Sequence, residues 1–137
     1  MPLPMKQRVI NGITVLYDEK DLFSVENAVY VMKFPESGRF YYGSTRDPSD
    51  RIHEHCTHIN SHKHQYCLIN KALKKEKKFE FHIIATFDSI EKAQEAEKKL
   101  IHCEADRLYR ERKRDGKFSK IVHESMLNTQ LYRDILY

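Results

Sequence analysis

The chain has no tryptophan, only four glycines and four prolines, and three cysteines in 137 residues. It carries no low-complexity tract and no internal repeat, so neither a disordered linker protein nor a repeat array fits. Cys56, Cys67 and Cys103 are odd in number and lack any C-x-x-C spacing. That excludes a disulfide framework and suits free thiols in a reducing compartment. No apolar run approaches the ~18–20 residues needed to span a bilayer. The opening Met1-Pro2-Leu3-Pro4-Met5-Lys6 has no apolar core of the secretory kind. A cytoplasmic protein with no membrane partner, in a bacterial or phage-infected cell, is the expectation.

What is present is an ordinary globular mixture, 40% hydrophobic and 32% charged, of a length that fits one domain. The formal net charge is only +4, but the basicity sits in two blocks. Lys71 to Lys78 holds five lysines against Glu76, and Arg107 to Lys120 holds four arginines and three lysines against Glu111 and Asp115. Either block alone reads as a solvated helix face. Two of them flanking a candidate site point to a polyanionic partner.

Local signals divide the chain. Asn11-Gly12 between Val9-Ile10 and Ile13 to Tyr17 predicts a hairpin, read as an N-terminal arm over residues 1–26. Ala28 to Phe34 and Arg39 to Ser44 predict two strands joined through Pro35-Glu36-Ser37-Gly38. Asp47-Pro48 predicts a helix N-terminus, with Asp as cap and Pro at the first helical position. A second helix follows with Leu68, Ile69, Ala72 and Leu73 as its apolar positions, and then a third strand from Phe79 to Phe87. Asp88-Ser89-Ile90-Glu91 opens a long helix expected to run to about Lys113. The tail from Phe118 is left without an assignment.

The hairpin fixes a register. With Phe34 opposite Arg39, Met32 faces Tyr41 and Tyr30 faces Gly43. Alternation then puts Tyr30, Met32 and Tyr41 on one face and Val29, Val31, Phe40 and Tyr42 on the other. Tyr30 and Tyr41 become diagonal neighbours beside Gly43, a position where a backbone or ligand can approach closely. Taken alone, both tyrosines read as strand aromatics. Arg51 and His55, four apart, share a helix face. A guanidinium can grip a phosphate with two parallel hydrogen bonds, and an imidazole can move a proton near neutral pH.

Glu97 falls within a helical stripe of Ile90, Ala93, Leu100, Ile101 and Leu108. A carboxylate there is costly to bury unless it is paired or binds a metal. A hard cation such as Mg²⁺ suits one glutamate completed by waters and a substrate phosphate. A glutamate at the stripe edge, reaching back to water, is the plain alternative.

These residues together resemble the GIY-YIG nuclease superfamily, in particular the catalytic domains of phage-type homing endonucleases. Tyr30, Tyr41, Gly43, Ser44, Arg51, His55, His64 and Glu97 carry the resemblance, which covers roughly Ala28 to Ile101 and continues to Asn128. It implies an α+β fold with a small three-stranded antiparallel sheet flanked by helices, preceded by the N-terminal arm. The division would be an arm (1–26), a catalytic domain (27–104) and a basic helical extension packed on it (105–137). It implies an endonuclease in which Tyr30, assisted by Tyr41, activates water and Arg51 holds the scissile phosphate. His55 or His64 would assist proton transfer, and Glu97 would hold one Mg²⁺ or Mn²⁺ per site. Gly43 and Asn128 would support the site. Ser44, Arg46, Lys71, Lys74, Lys75, Arg107, Arg110, Arg112, Lys113 and Arg114 are the expected contacts to DNA, double-stranded and bound by a dimer or a monomer. Ala28 and Val29 stand where the family name has Gly and Ile, and Tyr42 stands where it has Ile.

Two other classes compete. His53, His55, Cys56, His58, His62, His64 and Cys67 crowd a short stretch and are zinc-ligand types, although their spacing matches no closed four-ligand pattern. A non-catalytic nucleic-acid-binding protein on a nuclease-like fold is the third. Retention of Tyr30, Arg51 and Glu97 argues against it.

Overall fold

Asn11 and Gly12 take the left-handed angles φ 51° and 78° that a two-residue hairpin turn needs. The turn joins β1 (Lys6–Ile10) to β2 (Ile13–Tyr17) in antiparallel register. In this computed structural model, residues 5–18, 24–58, 67–111 and 117–128 are described. The remaining elements are β3 (Ala28–Lys33), β4 (Phe40–Thr45), α1 (Pro48–Thr57), α2 (Cys67–Glu76), β5 (Lys78–Thr86), α3 (Ile90–Glu111) and α4 (Phe118–His123). None of the described helices is long and apolar enough to cross a membrane.

The strands form one five-stranded sheet in the order β1-β2-β5-β3-β4. This corrects the expectation of a three-stranded antiparallel sheet with a separate arm. β2 pairs in parallel with β5, from Thr14 opposite Lys78 to Tyr17 opposite Phe81, so the sheet is mixed. The reason is burial. Ile13, Val15 and Tyr17 alternate inward and are 1%, 0% and 8% exposed, and an isolated hairpin has no surface on which to bury such a row.

The β3–β4 register is the one the turn dictates, with Tyr30 opposite Gly43 and Met32 opposite Tyr41. Tyr30, Met32, Phe34 and Tyr41 join Ile52 and Cys56 of α1 and Ile69, Ala72 and Leu73 of α2 in the larger core. The opposite face packs Phe40 and Tyr42 against Ile101, Ala105 and Leu108 of α3 and against Val122 and Met126. Both faces of β3 and β4 are therefore covered.

The β3–β5 register slips by one residue between Val29 and Tyr30, so that Ile84 has no opposite number. The unmatched Ile84 is 46% exposed. Such a bulge increases local twist, and this one adjoins Tyr30.

β4 is an edge strand closed in part by the chain after α4. Phe40 exchanges backbone hydrogen bonds with Ser125 and Leu127. Beyond them the Asn128 carboxamide takes over. Its Oδ1 accepts from Tyr42 N–H at 3.0 Å, and its Nδ2 donates to Tyr42 C=O at 2.6 Å. Asn128 is fully buried and serves as a substitute strand residue, which gives it a structural place beside the site.

Candidate active site

Tyr30 reaches across the sheet toward its β4 edge. A Cβ added to Gly43 would lie 2.3 Å from both the ring Cζ and the hydroxyl of Tyr30, so the phenol lies directly over that glycine. The ring stacks on Phe81 with centroids 4.7 Å apart and stands 6.4 Å from Tyr41. Its hydroxyl meets His55 Nε2 at 2.8 Å. The two tyrosines are thus the diagonal pair that the register requires.

α1 supplies His55 and Arg51. Asp47 Oδ1 accepts from Asp50 N–H at 3.3 Å, and Pro48 opens the helix, as the Asp-Pro pair predicts. His55 is buried beneath the sheet face, and its pKa falls from the ordinary 6.5 to about 3 through burial and then through Arg51 and His58. The imidazole is therefore neutral near pH 7 and keeps one ring nitrogen as an acceptor. Arg51, half-buried, has Nη1 3.7 Å from Glu54 Oε2.

A consequence for stability follows from His55. The unfolded chain takes up a proton on this residue near pH 6.5, and the folded chain only near 3. The unfolded state therefore binds more protons between those values, and stability falls as pH drops, by up to about 1.4 kcal/mol per unit. Urea unfolding at pH 7 and pH 5 should show wild type losing roughly 2 kcal/mol more than His55→Gln. Equal losses would contradict the buried neutral ring.

Glu97 comes from the other side of the sheet. Ser44 Oγ donates to its Oε2 at 3.0 Å. Burial raises its pKa, and the Ser44 hydroxyl and the Arg51 guanidinium pull it back down. Arg51 is thus within electrostatic reach of Glu97 on one face and of His55 on the other. It lines an open cleft of about 330 Å³ with Ser44, Arg46, Asp50 and Gln94. It also lines a narrow recess with His55, His58 and Asn70. The acid, held by Ser44, and the phenol pair, held by His55, occupy opposite faces of the sheet, and Arg51 acts electrostatically on both Glu97 and His55.

Ser44, expected as a DNA contact, donates its hydroxyl to Glu97 Oε2. Lys71, Lys74 and Lys75 are exposed along α2, and Arg46 and Arg110 are exposed as well. Arg107 is held by Glu104 at 2.9 Å and by Glu111 at 2.8 Å, which compensates its charge locally. His64, Arg112, Lys113 and Arg114 lie outside the described residues. Asn70, 7% exposed on a helix face otherwise made of Ile69, Ala72 and Leu73, is a site neighbour that sequence reasoning missed. A lone polar residue in an apolar helical stripe was the available signal, the same one that drew attention to Glu97.

Tyr42 is accommodated on the α3 face, edge-on to Phe40 at 5.3 Å. Its pKa is raised by burial and by Glu104, with Arg107 opposing.

Glu97 could serve as one ligand of a hard divalent cation, and no group of three candidate ligands surrounds it among the described residues. A partly buried carboxylate with a raised pKa and a hydroxyl on one of its oxygens is a donor short of positive charge. The zinc alternative fares worse. Cys56 is fully buried with its thiol pushed up to about 12, His55 is engaged with Tyr30, and no cluster of three candidate ligands occurs among the described residues. His62, His64 and the Cys67 side chain fall outside that description.

The family model of the GIY-YIG catalytic domain matches residues 26–110, more than half of the chain. No curated protein and no solved structure matches it. The chain belongs to the GIY-YIG family. The members of that family are nucleases, so this protein is a hydrolase acting on nucleic acid.

Proposed function

We propose that the protein is a Mg²⁺-dependent endonuclease that hydrolyses phosphodiester bonds of double-stranded DNA at the β4 edge. The observation that carries this reading is the position of Arg51, which lines one cleft with Ser44, the partner of Glu97, and a second recess with His55. Tyr30, Tyr41, Arg51, His55 and Glu97 form the site, with His64 as a further candidate for proton transfer. Glu97 would hold the single Mg²⁺ or Mn²⁺, which supplies Lewis-acid stabilisation of the leaving oxygen when bound.

The chain's own groups do the rest. A neutral His55 accepting at Nε2 fixes the Tyr30 hydroxyl across their 2.8 Å hydrogen bond, so that the phenol oxygen is held in place with its lone pairs turned toward the attacking water. Arg51 pairs with the scissile phosphate and stabilises the charge that grows on it. Ser44 fixes the Glu97 carboxylate. Lys71, Lys74, Lys75, Arg46 and Arg110 contact the DNA backbone, which makes binding fall steeply with salt. Cleavage of both strands would need a dimer or two successive nicks.

Supercoiled plasmid incubated with Mg²⁺ tests the reading, with EDTA and Glu97→Gln as controls. Nicked or linear product from wild type, and a loss on the order of 10²–10³-fold for Glu97→Gln, is expected. Cleavage by Glu97→Gln at the wild-type rate would remove Glu97 from the metal site.

A further inference from the structure

The family match begins at residue 26, which leaves the β1–β2 hairpin outside it. Three observations tie that hairpin to the site. Ile13, Val15 and Tyr17 share one buried core with Tyr30, Tyr41, Ile52 and Cys56. β2 lies against β5, whose Phe81 is the surface on which the Tyr30 ring stacks. Most directly, the Asn11 side chain donates from Nδ2 to Cys56 C=O at 3.0 Å. Cys56 lies in the last turn of α1, next to His55, where helix carbonyls lack a donor from their own helix.

We propose that the β1–β2 hairpin is part of the catalytic unit and that Asn11 is a positioning residue, pinning the last turn of α1 so that His55 stays against Tyr30. The inference rests on the reading of Tyr30 and His55 given under Proposed function. The geometry makes the role specific. Asn11 holds φ 51°, a conformation that asparagine, aspartate and glycine adopt easily. Its carboxamide reaches a carbonyl 45 positions away in the chain. The turn needs only the backbone angle, and the helix needs only the N–H donor, so the two roles separate by mutation. Asn11→Asp keeps the shape and the angle but, when ionised, presents an acceptor to a carbonyl. Asn11→Gly keeps the angle and removes the side chain.

The test uses the full-length protein carrying each substitution. Single-turnover cleavage of plasmid at saturating Mg²⁺ gives the rate, titration with plasmid gives KM, and thermal melting reports folding. ¹⁵N NMR of the His55 ring at neutral pH reports its hydrogen bond to Tyr30. Both variants are expected to cleave about three- to tenfold more slowly with KM within about twofold, because a small displacement of a reacting group is enough to slow chemistry. The His55 ring signals should move from a pattern fixed in one tautomer toward an averaged one. Unchanged rates together with unchanged His55 signals in both variants would overturn the proposal. So would a rate loss fully recovered on cooling, with His55 signals like wild type, since that is what simple destabilisation gives. If wild type fails to cleave nucleic acid at all, the site reading fails on its own, and the His55 spectrum alone decides whether Asn11 positions that ring.

Discussion

Gly43→Ala should abolish most activity and lower the melting temperature together. The added Cβ would fall 2.3 Å from the Cζ and hydroxyl of Tyr30, a separation that real contacts do not reach. Tyr30 has little room to retreat, since Phe81 is stacked on it at 4.7 Å and its hydroxyl is bonded to His55. Overpacking of this kind costs roughly 1–3 kcal/mol, or about 3–10 °C of melting temperature for a chain of this size. The displaced phenol leaves His55, so the expected fall in cleavage rate is about 100-fold. The Tyr30→Phe background provides an internal check. Removing the hydroxyl relieves one of the clashing contacts, so Gly43→Ala should cost less stability there than in wild type. A Gly43→Ala variant with the activity and melting temperature of wild type would show that the ring does not cross this glycine.

Arg51→Ala should leave DNA binding within a few-fold of wild type and cut the cleavage rate on the order of 10²–10³-fold or more. Arg51 acts electrostatically on both Glu97 and His55, so it bears on charge stabilisation from the two sides of the sheet. Its contribution to binding is one cation among many, because the exposed lysines of α2 remain. Single-turnover rates beside filter-binding affinities separate the two effects. Arg51→Lys should recover only part of the rate, since a lysine carries the charge without the paired donors of a guanidinium. A variant that binds weakly but cleaves at the wild-type rate when saturated would assign Arg51 to affinity alone.

The parts of this fold that sequence patterns revealed are those specified by neighbours in the chain. The Pro35-to-Gly38 turn and period-two alternation gave the pairing of Tyr30 with Gly43 and the two faces of the hairpin. Asp47-Pro48 gave the start of α1. α3 begins at Ile90, with Ser89 Oγ accepting from Lys92 N–H at 3.3 Å and Asp88 paired with Lys92, a small variation on the expected box. The hidden parts depend on distant partners. Nothing local to Ile13-Thr14-Val15 says that β2 will lie parallel to β5, and nothing near Tyr42 announces a carboxamide 86 positions away.

The candidate site was legible in its residue types and less so in its arrangement. The resemblance, not the spacing, implied that phenols, guanidinium and acid meet around one pocket. The coordinates put Glu97 behind the sheet with Ser44, and Tyr30 in front with His55. Helical periodicity marks which residues share a face, but it does not say which side of the sheet that helix covers. The hidden partnership of His55 with Tyr30 followed from the same gap, since an Arg-x-x-x-His pair reads as surface until the sheet beneath it is known.

The most direct test of the account is the rate at which wild type and Glu97→Gln cut supercoiled DNA across a range of Mg²⁺ concentrations. Wild type should gain activity with Mg²⁺ and lose it with EDTA, while Glu97→Gln stays at least 10²-fold slower at every concentration yet binds DNA as before. Cleavage that is indifferent to both the metal and the carboxylate would contradict it.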